Sequence, residues 1–296
     1  MNLDDNNPLV PDFAQPGDPP AHASPAPETE QLLAPEQFTQ APATGSPIPD
    51  DLRVPWGWGN LLLFVLMYFI IGFVVVIGFA AFGVKPADLQ KLSPKNGAAL
   101  VLSQVLISLA MLGYLAAEVR YYFGFPFWQT LGWRPIETGG RPRAYVYSRY
   151  VLGGFMFSVL IQVASAVVGT KAKLPIENLF RDRSTAILLM LMAVTIAPLF
   201  EEAVFRGYIY PVIARSFGVG ASIIVTGTLF GMLHAPQLWG GWGQIALLIV
   251  VGIFFTYVRA KARTVVASYL LHVGYNSVPL LAYLIASRGF HKLPGG

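Results

Sequence analysis

Two adjacent glutamates lie inside an apolar stretch of this chain and are followed by an arginine. Glu201 and Glu202 come directly after AILLMLMAVTIAPLF, and Arg206 closes the segment EEAVFR. A carboxylate within a membrane-spanning helix costs at least about 2.5–3.5 kcal/mol on insertion scales, so it normally faces the protein interior or a wet cavity. Glu202 and Arg206 are four residues apart and can pair on one helix face. Glu201 is rotated by about 100° from Glu202 around the helix axis, so the carboxylate of Glu201 takes no part in this pair.

Two imidazoles and an amide follow in later apolar segments. FGMLH places Phe230 four residues before His234, and HVGYN places His272 four residues before Asn276. Alone, an intramembrane histidine or asparagine often just bonds to a neighbouring helix, and EExxxR alone is typical of a salt-bridged latch. Together with Glu201 the set favours a functional site over packing, because every one of these polar groups is costly to place in a membrane.

The residue types predict hydrolysis of an acyl group with water as the nucleophile. A buried glutamate beside an imidazole activates water, and a second imidazole and an amide can donate to the developing oxyanion. The chain has no cysteine, no GxSxG around a serine and no HExxH. The aspartates outside the first 52 residues, Asp88 and Asp182, lie in predicted loops, which excludes an intramembrane aspartyl pair.

The composition indicates an all-α polytopic membrane protein, integral to the cell membrane with several passes. Of the 296 residues, 54% are hydrophobic and 12% are charged, and the mean hydropathy is +0.55. A soluble domain would carry about a quarter charged residues. Residues 61–82 contain no charge and are long enough to cross a hydrocarbon core of about 30 Å. The absence of cysteine excludes disulfides, thiolate zinc sites and iron–sulfur clusters.

The apolar segments predict a bundle of about seven transmembrane helices. They lie near 60–83, 97–117, 150–169, 184–213, 218–235, 243–258 and 264–286. The fourth is predicted to be one helix with a kink at Pro198. We therefore expect N-terminal transmembrane helices over 53–183, a catalytic core over 184–286 and a C-terminal tail over 287–296.

The first 52 residues differ from the rest and predict a disordered, proline-rich tail. They hold 11 of the 23 prolines, and residues 1–51 hold nine acids and no lysine or arginine. All 20 basic residues follow, mostly between apolar segments. This pattern predicts membrane-flanking charge and no nucleic-acid binding. A cytoplasmic N-terminus would place the arginine-rich loops 120–149 and 259–263 inside.

The three motifs carry a resemblance to a known family. EEAVFR fits EExxxR, FGMLH fits FxxxH and HVGYN fits HxxxN. Their order and spacing resemble those of the CPBP family of intramembrane proteases, the group of CAAX prenyl protease 2 and of bacteriocin-processing (Abi) proteins. The resemblance covers about 184–286. Upstream, LGWRP at 131–135 is weakly similar to a feature of that family.

The resemblance implies a role for each motif residue. Glu201 matches the catalytic glutamate, with His234 as its partner on water, and His272 and Asn276 match the pair that stabilises the oxyanion. The supporting positions of the family motifs correspond to Glu202, Arg206 and Phe230. Such proteins are commonly called metalloproteases, and Glu201, His234 and His272 are the three candidate zinc ligands. The same residues also suit a metal-free mechanism, so the expected cofactor is none or zinc.

Three other functions fit part of the pattern. A transporter would use Glu201 and the histidines as a proton relay. A non-catalytic immunity or scaffold protein would bind a partner through its loops or tail, and a haem protein would use His234 and His272 as axial ligands. The protease reading predicts a membrane-associated protein or peptide as substrate within the lipid bilayer, processed as in CAAX-box maturation or peptide maturation.

Overall fold

The computed structural model describes residues 48–84, 96–169 and 173–291. Most of the predicted N-terminal tail and the last residues of the predicted C-terminal tail lie outside this part of the chain. The described residues form eight α-helices of seven residues or more, which are α1 (Trp58–Ala81), α2 (Gly97–Ala117), α3 (Arg143–Val168), α4 (Arg183–Val194), α5 (Ile196–Glu202), α6 (Tyr210–Leu233), α7 (Trp242–Ala262) and α8 (Val265–Ala286). A short helix of four residues, Phe127–Thr130, follows α2. The predicted all-α, multi-pass membrane architecture is confirmed.

Six helical segments among the described residues are long and apolar enough to cross a membrane, where the sequence predicts about seven. The difference lies in one continuous segment of 51 residues, Arg183–Leu233, which covers the fourth and fifth predicted spans. A straight helix of that length would measure about 77 Å, more than twice a hydrocarbon core of about 30 Å. Gly218 interrupts it with φ 84° and ψ 161°, a conformation that glycine adopts most readily.

The fourth predicted span is helical and interrupted, but the interruption lies at Thr195, three residues before the predicted kink at Pro198. Helix α4 ends at Val194, and Thr195 has φ −120° and ψ −81° before α5 begins. Pro198 lacks an N–H and its ring crowds the carbonyl four residues earlier, so the break falls before the proline rather than at it. After Glu202 the chain winds as a π-helix over Ala203–Ile209. Turns of this kind are frequent at functional sites.

Close helix crossings bring the C-terminal helices together. A Cβ on Gly154 of α3 would collide with the carbonyl of Leu271 on α8, and one on Gly274 of α8 would collide with the carbonyl of Val151. Gly227 of α6 lies against the backbone of α7 in the same way. Small residues let membrane helices approach until their backbones touch. These crossings pack α3 against α8 and α6 against α7.

The segment before α1 is packed against the bundle, which corrects two predicted boundaries. Asp50–Leu52 forms a 3-10 turn, and Leu52 is buried although the predicted tail runs to residue 52. Arg259 was predicted in a loop, but it lies in α7, is buried, and pairs with Asp51 at 2.8 Å. The hydropathy pattern misses both, because a buried ion pair looks like two surface charges in the sequence.

Candidate active site

Glu202 and Arg206 form a fully buried ion pair. Nη1 of Arg206 lies 3.0 Å from Oε1 of Glu202, and neither side chain is exposed. Arg206 also donates from Nη2 to the carbonyl of Gly252 at 2.9 Å and from Nε to Oγ1 of Thr256 at 3.3 Å. A buried charge is tolerated when it is paired and its remaining donors are satisfied. The arginine thereby ties the π-helical segment to α7.

Glu201 turns away from that pair and lies between the two histidines. Its Oε1 is 3.9 Å from Nε2 of His234, and its Oε2 is 3.7 Å from Nε2 of His272. Its side chain is 20% exposed, in contrast to the fully buried Glu202. Both separations are too long for a direct hydrogen bond. The carboxylate left over by the salt bridge is thus the one that meets both imidazoles.

Both imidazoles are held through Nδ1, which fixes the direction of Nε2. Nδ1 of His234 lies 2.8 Å from the carbonyl of Phe230, and Nδ1 of His272 lies 2.9 Å from Oε1 of Glu202. A carbonyl and a carboxylate only accept hydrogen bonds, so we assign the proton to Nδ1 in each ring. When neutral, each ring then directs an Nε2 lone pair toward Glu201.

Phe230 is a packing platform beneath these groups. Its ring centroid lies 4.9 Å from that of His234 and 5.9 Å from that of His272, the latter at an interplanar angle of 80°. The guanidinium carbon of Arg206 sits 4.6 Å from the same ring centroid. Phe230 is buried, so it separates the arginine from solvent and fixes both imidazole planes.

Asn276 reaches the site from α8 and bonds to the end of α4. Its Nδ2 donates to the carbonyl of Ala193 at 2.7 Å. Carbonyls in the last turn of a helix lack an intrahelical partner, and the break at Thr195 creates such an end here. The amide group has two N–H donors, and this bond uses one of them.

These four residues share one cavity of about 360 Å³. Glu201, His234, His272 and Asn276 all line it, whereas Glu202 and Arg206 do not. Its apolar wall comes from α2, α4 and the 3-10 helix Pro175–Arg181, and includes Leu100, Val101, Ile176, Phe180, Leu189 and Met192. The structure therefore brings together all four residues that the sequence analysis selected for catalysis, with the three supporting residues packed around them.

Comparison with known proteins finds a family match over this part of the chain. Residues 183–278 match the family model described as type II CAAX prenyl endopeptidase, Rce1-like. Over this segment the chain is similar to the Rce1-like family. The chain is also 25% identical over 145 residues to the UPF0177 protein YbdI of Lactococcus lactis subsp. lactis (strain IL1403), an alignment that covers 48% of this chain and 74% of that protein. No solved structure matches the chain.

The Rce1-like segment contains every candidate catalytic residue, from Glu201 to Asn276. It runs from the start of α4 into α8 and is about a third of the chain. The resemblance inferred from the three motifs is confirmed, and the chain is an integral membrane protein related to membrane endopeptidases. The match supports the CAAX-type branch of that resemblance, and neither comparison points to the bacteriocin-processing branch.

Several polar residues at the site of the Rce1-like segment were missed from the sequence. Gln104, Gln237 and Tyr275 line the cavity, and Thr256 bonds to Arg206. An amide inside the apolar segment of α2 was a visible signal for Gln104. Thr256 gave no signal, because its partner Arg206 is distant in sequence.

The three candidate zinc ligands do not form a metal site in this arrangement. Among residues 48–84, 96–169 and 173–291, no group of three or more His, Cys, Asp or Glu residues is placed to hold a metal ion. Ligands of one tetrahedral zinc lie about 3.3 Å apart when each bond is about 2.0–2.1 Å. The contacts of Glu201 with His234 and His272, at 3.9 and 3.7 Å, are wider than this.

Proposed function

We propose that this chain is an intramembrane endopeptidase that cleaves a peptide bond of a membrane-associated protein or peptide. The family match supports the reaction class. One observation carries the assignment of residues: Glu201 lies in a cavity between two imidazoles whose Nε2 atoms face its two carboxylate oxygens. Side chains positioned in this way suit the activation of a water molecule.

In the proposed first step, water is bound between Glu201 and His234. Glu201 removes a proton from the water while His234 accepts a hydrogen bond at Nε2 and orients it. The water oxygen forms a bond to the carbonyl carbon of the substrate. The π electrons of the carbonyl move to its oxygen, which becomes the oxyanion of a tetrahedral intermediate.

His272 and Asn276 are the proposed donors to this oxyanion. Because Nδ1 of His272 already donates to Glu202, the imidazole must be doubly protonated to donate from Nε2 as well. That charge state is balanced: two ionised glutamates face the cations Arg206 and His272, which gives no net charge. Asn276 contributes the N–H that its bond to Ala193 leaves over.

The intermediate then collapses and breaks the C–N bond. Glu201 returns the proton that it took from water to the leaving nitrogen, which departs as an amine. The oxyanion electrons re-form the carbonyl, and the other product is a carboxylic acid. The transferred proton passes from water to Glu201 and then to the leaving amine. The protein is therefore unchanged after one turnover.

The first substrate class to test is a prenylated peptide with a CAAX-type C-terminus. The description of the matching family supports this choice, and the apolar wall of the cavity is compatible with a lipid-attached or strongly apolar segment. An unprenylated membrane peptide is the second class, since maturation of such peptides would use the same chemistry. We expect both classes to approach from the bilayer, because the site lies among helices that are long and apolar enough to cross a membrane.

The test is a cleavage assay with purified protein in liposomes on prenylated and unprenylated peptides. We expect Glu201→Ala to abolish cleavage, with melting temperature unchanged because its side chain is partly exposed. Glu137→Ala, which removes an exposed loop carboxylate, is the matched control and should cleave like the wild type. Wild-type cleavage by Glu201→Ala would refute the assignment. Transport of a solute without cleavage of either peptide class would favour the proton-relay alternative.

A further inference from the structure

A second cavity lies at the arginine-rich end of the bundle, away from the candidate active site. This end is where α1 begins at Trp58, α7 ends at Ala262 and α8 begins at Val265. The cavity has a volume of about 540 Å³, and none of its lining residues lines the catalytic cavity. Cavities of roughly 300–1,000 Å³ are typical of small-molecule sites.

Three arginines from separate parts of the chain converge on this cavity. Arg53 precedes α1, Arg134 lies in the loop before α3, and Arg215 lies on α6. Among the residues that the structure describes, the carboxylate paired with any of them is Asp50, at 3.4 Å from Arg53 and itself largely exposed. Three guanidinium groups against one carboxylate leave the cavity with a net positive charge. Its preferred occupant is therefore an anion.

Arg215 is held in place before any ligand binds. Its Nη1 donates to the carbonyl of Val54 at 2.8 Å, and its Nη2 donates to the carbonyl of Trp56. A guanidinium group has five N–H donors, so three of them remain for a ligand. Gln129 adds a side-chain amide to the lining. A fixed fork with spare donors suits the planar, bidentate recognition of a phosphate.

The cavity also lies beside aromatic side chains typical of the headgroup level of a membrane. Trp58 is 48% exposed at the start of α1, and Trp128 is 44% exposed in the short helix that follows α2. Trp and Tyr side chains concentrate where hydrocarbon meets the polar headgroups. Phe125 and Pro126, next to Trp128, form part of the apolar wall of the cavity. An occupant would therefore meet both charge and hydrocarbon.

We propose that this cavity binds the phosphate of an anionic phospholipid headgroup. The arginines hold the phosphate, and the apolar wall contacts the start of the acyl chains. Basic pockets between transmembrane helices on the cytoplasmic side are typical sites for anionic lipid headgroups. The arginine content of the adjoining loops predicts that this end faces the cytoplasm.

The test measures the melting temperature of the full chain in a neutral detergent. Short-chain phosphatidylglycerol, short-chain phosphatidylcholine and inorganic phosphate are titrated separately. A ligand that binds only the folded state raises the melting temperature with its concentration. We expect a saturable rise with phosphatidylglycerol and a weaker one with phosphatidylcholine, whose phosphate is accompanied by a choline cation that the arginines repel. Inorganic phosphate should cause a rise only at concentrations at least about tenfold higher.

Variants connect the effect to the cavity. Arg134→Gln should weaken the apparent affinity for phosphatidylglycerol about tenfold or more, which is the size expected for the loss of a charge-assisted hydrogen bond. Arg134→Lys keeps the positive charge but loses the planar guanidinium group. Its apparent affinity should therefore lie between those of the wild type and Arg134→Gln. Arg141→Gln removes an exposed arginine from the same loop that does not line the cavity, so it should bind like the wild type. Gln129→Ala is a second lining variant and should weaken binding by a smaller factor.

Three results would overturn the proposal. An equal rise with phosphatidylcholine would show that the net negative charge of the headgroup is not recognised. Equal affinities of Arg134→Gln and Arg141→Gln would place binding elsewhere on the basic surface. An effect of inorganic phosphate at the same concentration as phosphatidylglycerol would assign the cavity to a free anion rather than to a lipid.

Discussion

Glu202 holds His272 through a 2.9 Å contact between Oε1 and the ring Nδ1. The same oxygen accepts the 3.0 Å hydrogen bond from Arg206. Glu202 therefore does more than pair with Arg206. It also sets the tautomer and direction of an imidazole that faces Glu201. Orienting groups of this kind act on catalysis through the residue that they hold.

This shared contact predicts strong coupling between Glu202 and Arg206. Glu202→Gln leaves a buried arginine without a counter-charge and should lower the free energy of unfolding by about 3–5 kcal/mol. Arg206→Met alone should do similar damage, since it strands the glutamate. The double variant should be less destabilised than the sum of the two, as measured by denaturation in mixed micelles. Simple additivity of the two losses would contradict the buried pair.

A variant at Asn276 distinguishes a catalytic role of this residue from a structural one. Asn276→Ala should lower kcat about 10²–10³-fold if its free N–H donates to the oxyanion, with KM little changed. Loss of its bond to Ala193 should reduce stability by only about 1 kcal/mol. Ser277→Ala is the matched control, because that hydroxyl bonds to the carbonyl of Val273 and does not line the cavity. A kcat equal to that of the control would remove Asn276 from the mechanism.

The sequence predicts the site better than it predicts the segments that surround it. Polar residues in an apolar helix have few acceptable positions, so the sequence alone predicts that Glu201, His234 and His272 converge. The i,i+4 spacing of Glu202 and Arg206 also implied their pair.

Other features depend on contacts between distant parts of the chain. The pairing of Asp51 with Arg259 joins residues that the hydropathy pattern assigns to a tail and to a loop. The break at Thr195 follows from Pro198, yet its position is set by the carbonyl that the proline ring displaces. Gly218 interrupts a 51-residue helical segment. A single glycine in a helical pattern is usually tolerated, so the sequence does not predict an interruption there.

Metal dependence is tested by chelation. All proposed steps use side chains of the chain, and the separations between Glu201 and the two histidines exceed those of zinc ligands. We therefore expect cleavage to survive prolonged treatment with a strong chelator, in parallel with an authentic zinc protease as a positive control for chelation. Loss of activity that zinc restores would contradict this, and would assign Glu201, His234 and His272 as ligands.

Asp182 caps the helix that leads to the site, and its effect should depend on pH. Its Oδ2 accepts from the backbone N–H of Thr185 at 2.8 Å and from the Thr185 hydroxyl at 2.7 Å. The backbone bond first, and then the hydroxyl bond, hold the pKa of Asp182 below its ordinary value. The carboxylate form is thus favoured in the folded state. Its stabilisation is complete above the unfolded pKa of about 4 and is lost as pH falls through the lower, folded pKa.

Asp182→Ala should therefore lower the free energy of unfolding by about 0.5–2 kcal/mol at neutral pH, the usual cost of losing a helix cap. The gap between wild type and this variant should narrow as the pH is lowered from 6 through about 4 and below. Asp182→Asn keeps a cap that does not titrate, so its gap to Asp182→Ala should stay nearly constant over the same range. Unfolding in mixed micelles at each pH measures both gaps. A wild-type gap that does not change with pH would mean that the Thr185 contacts do not stabilise the charged carboxylate.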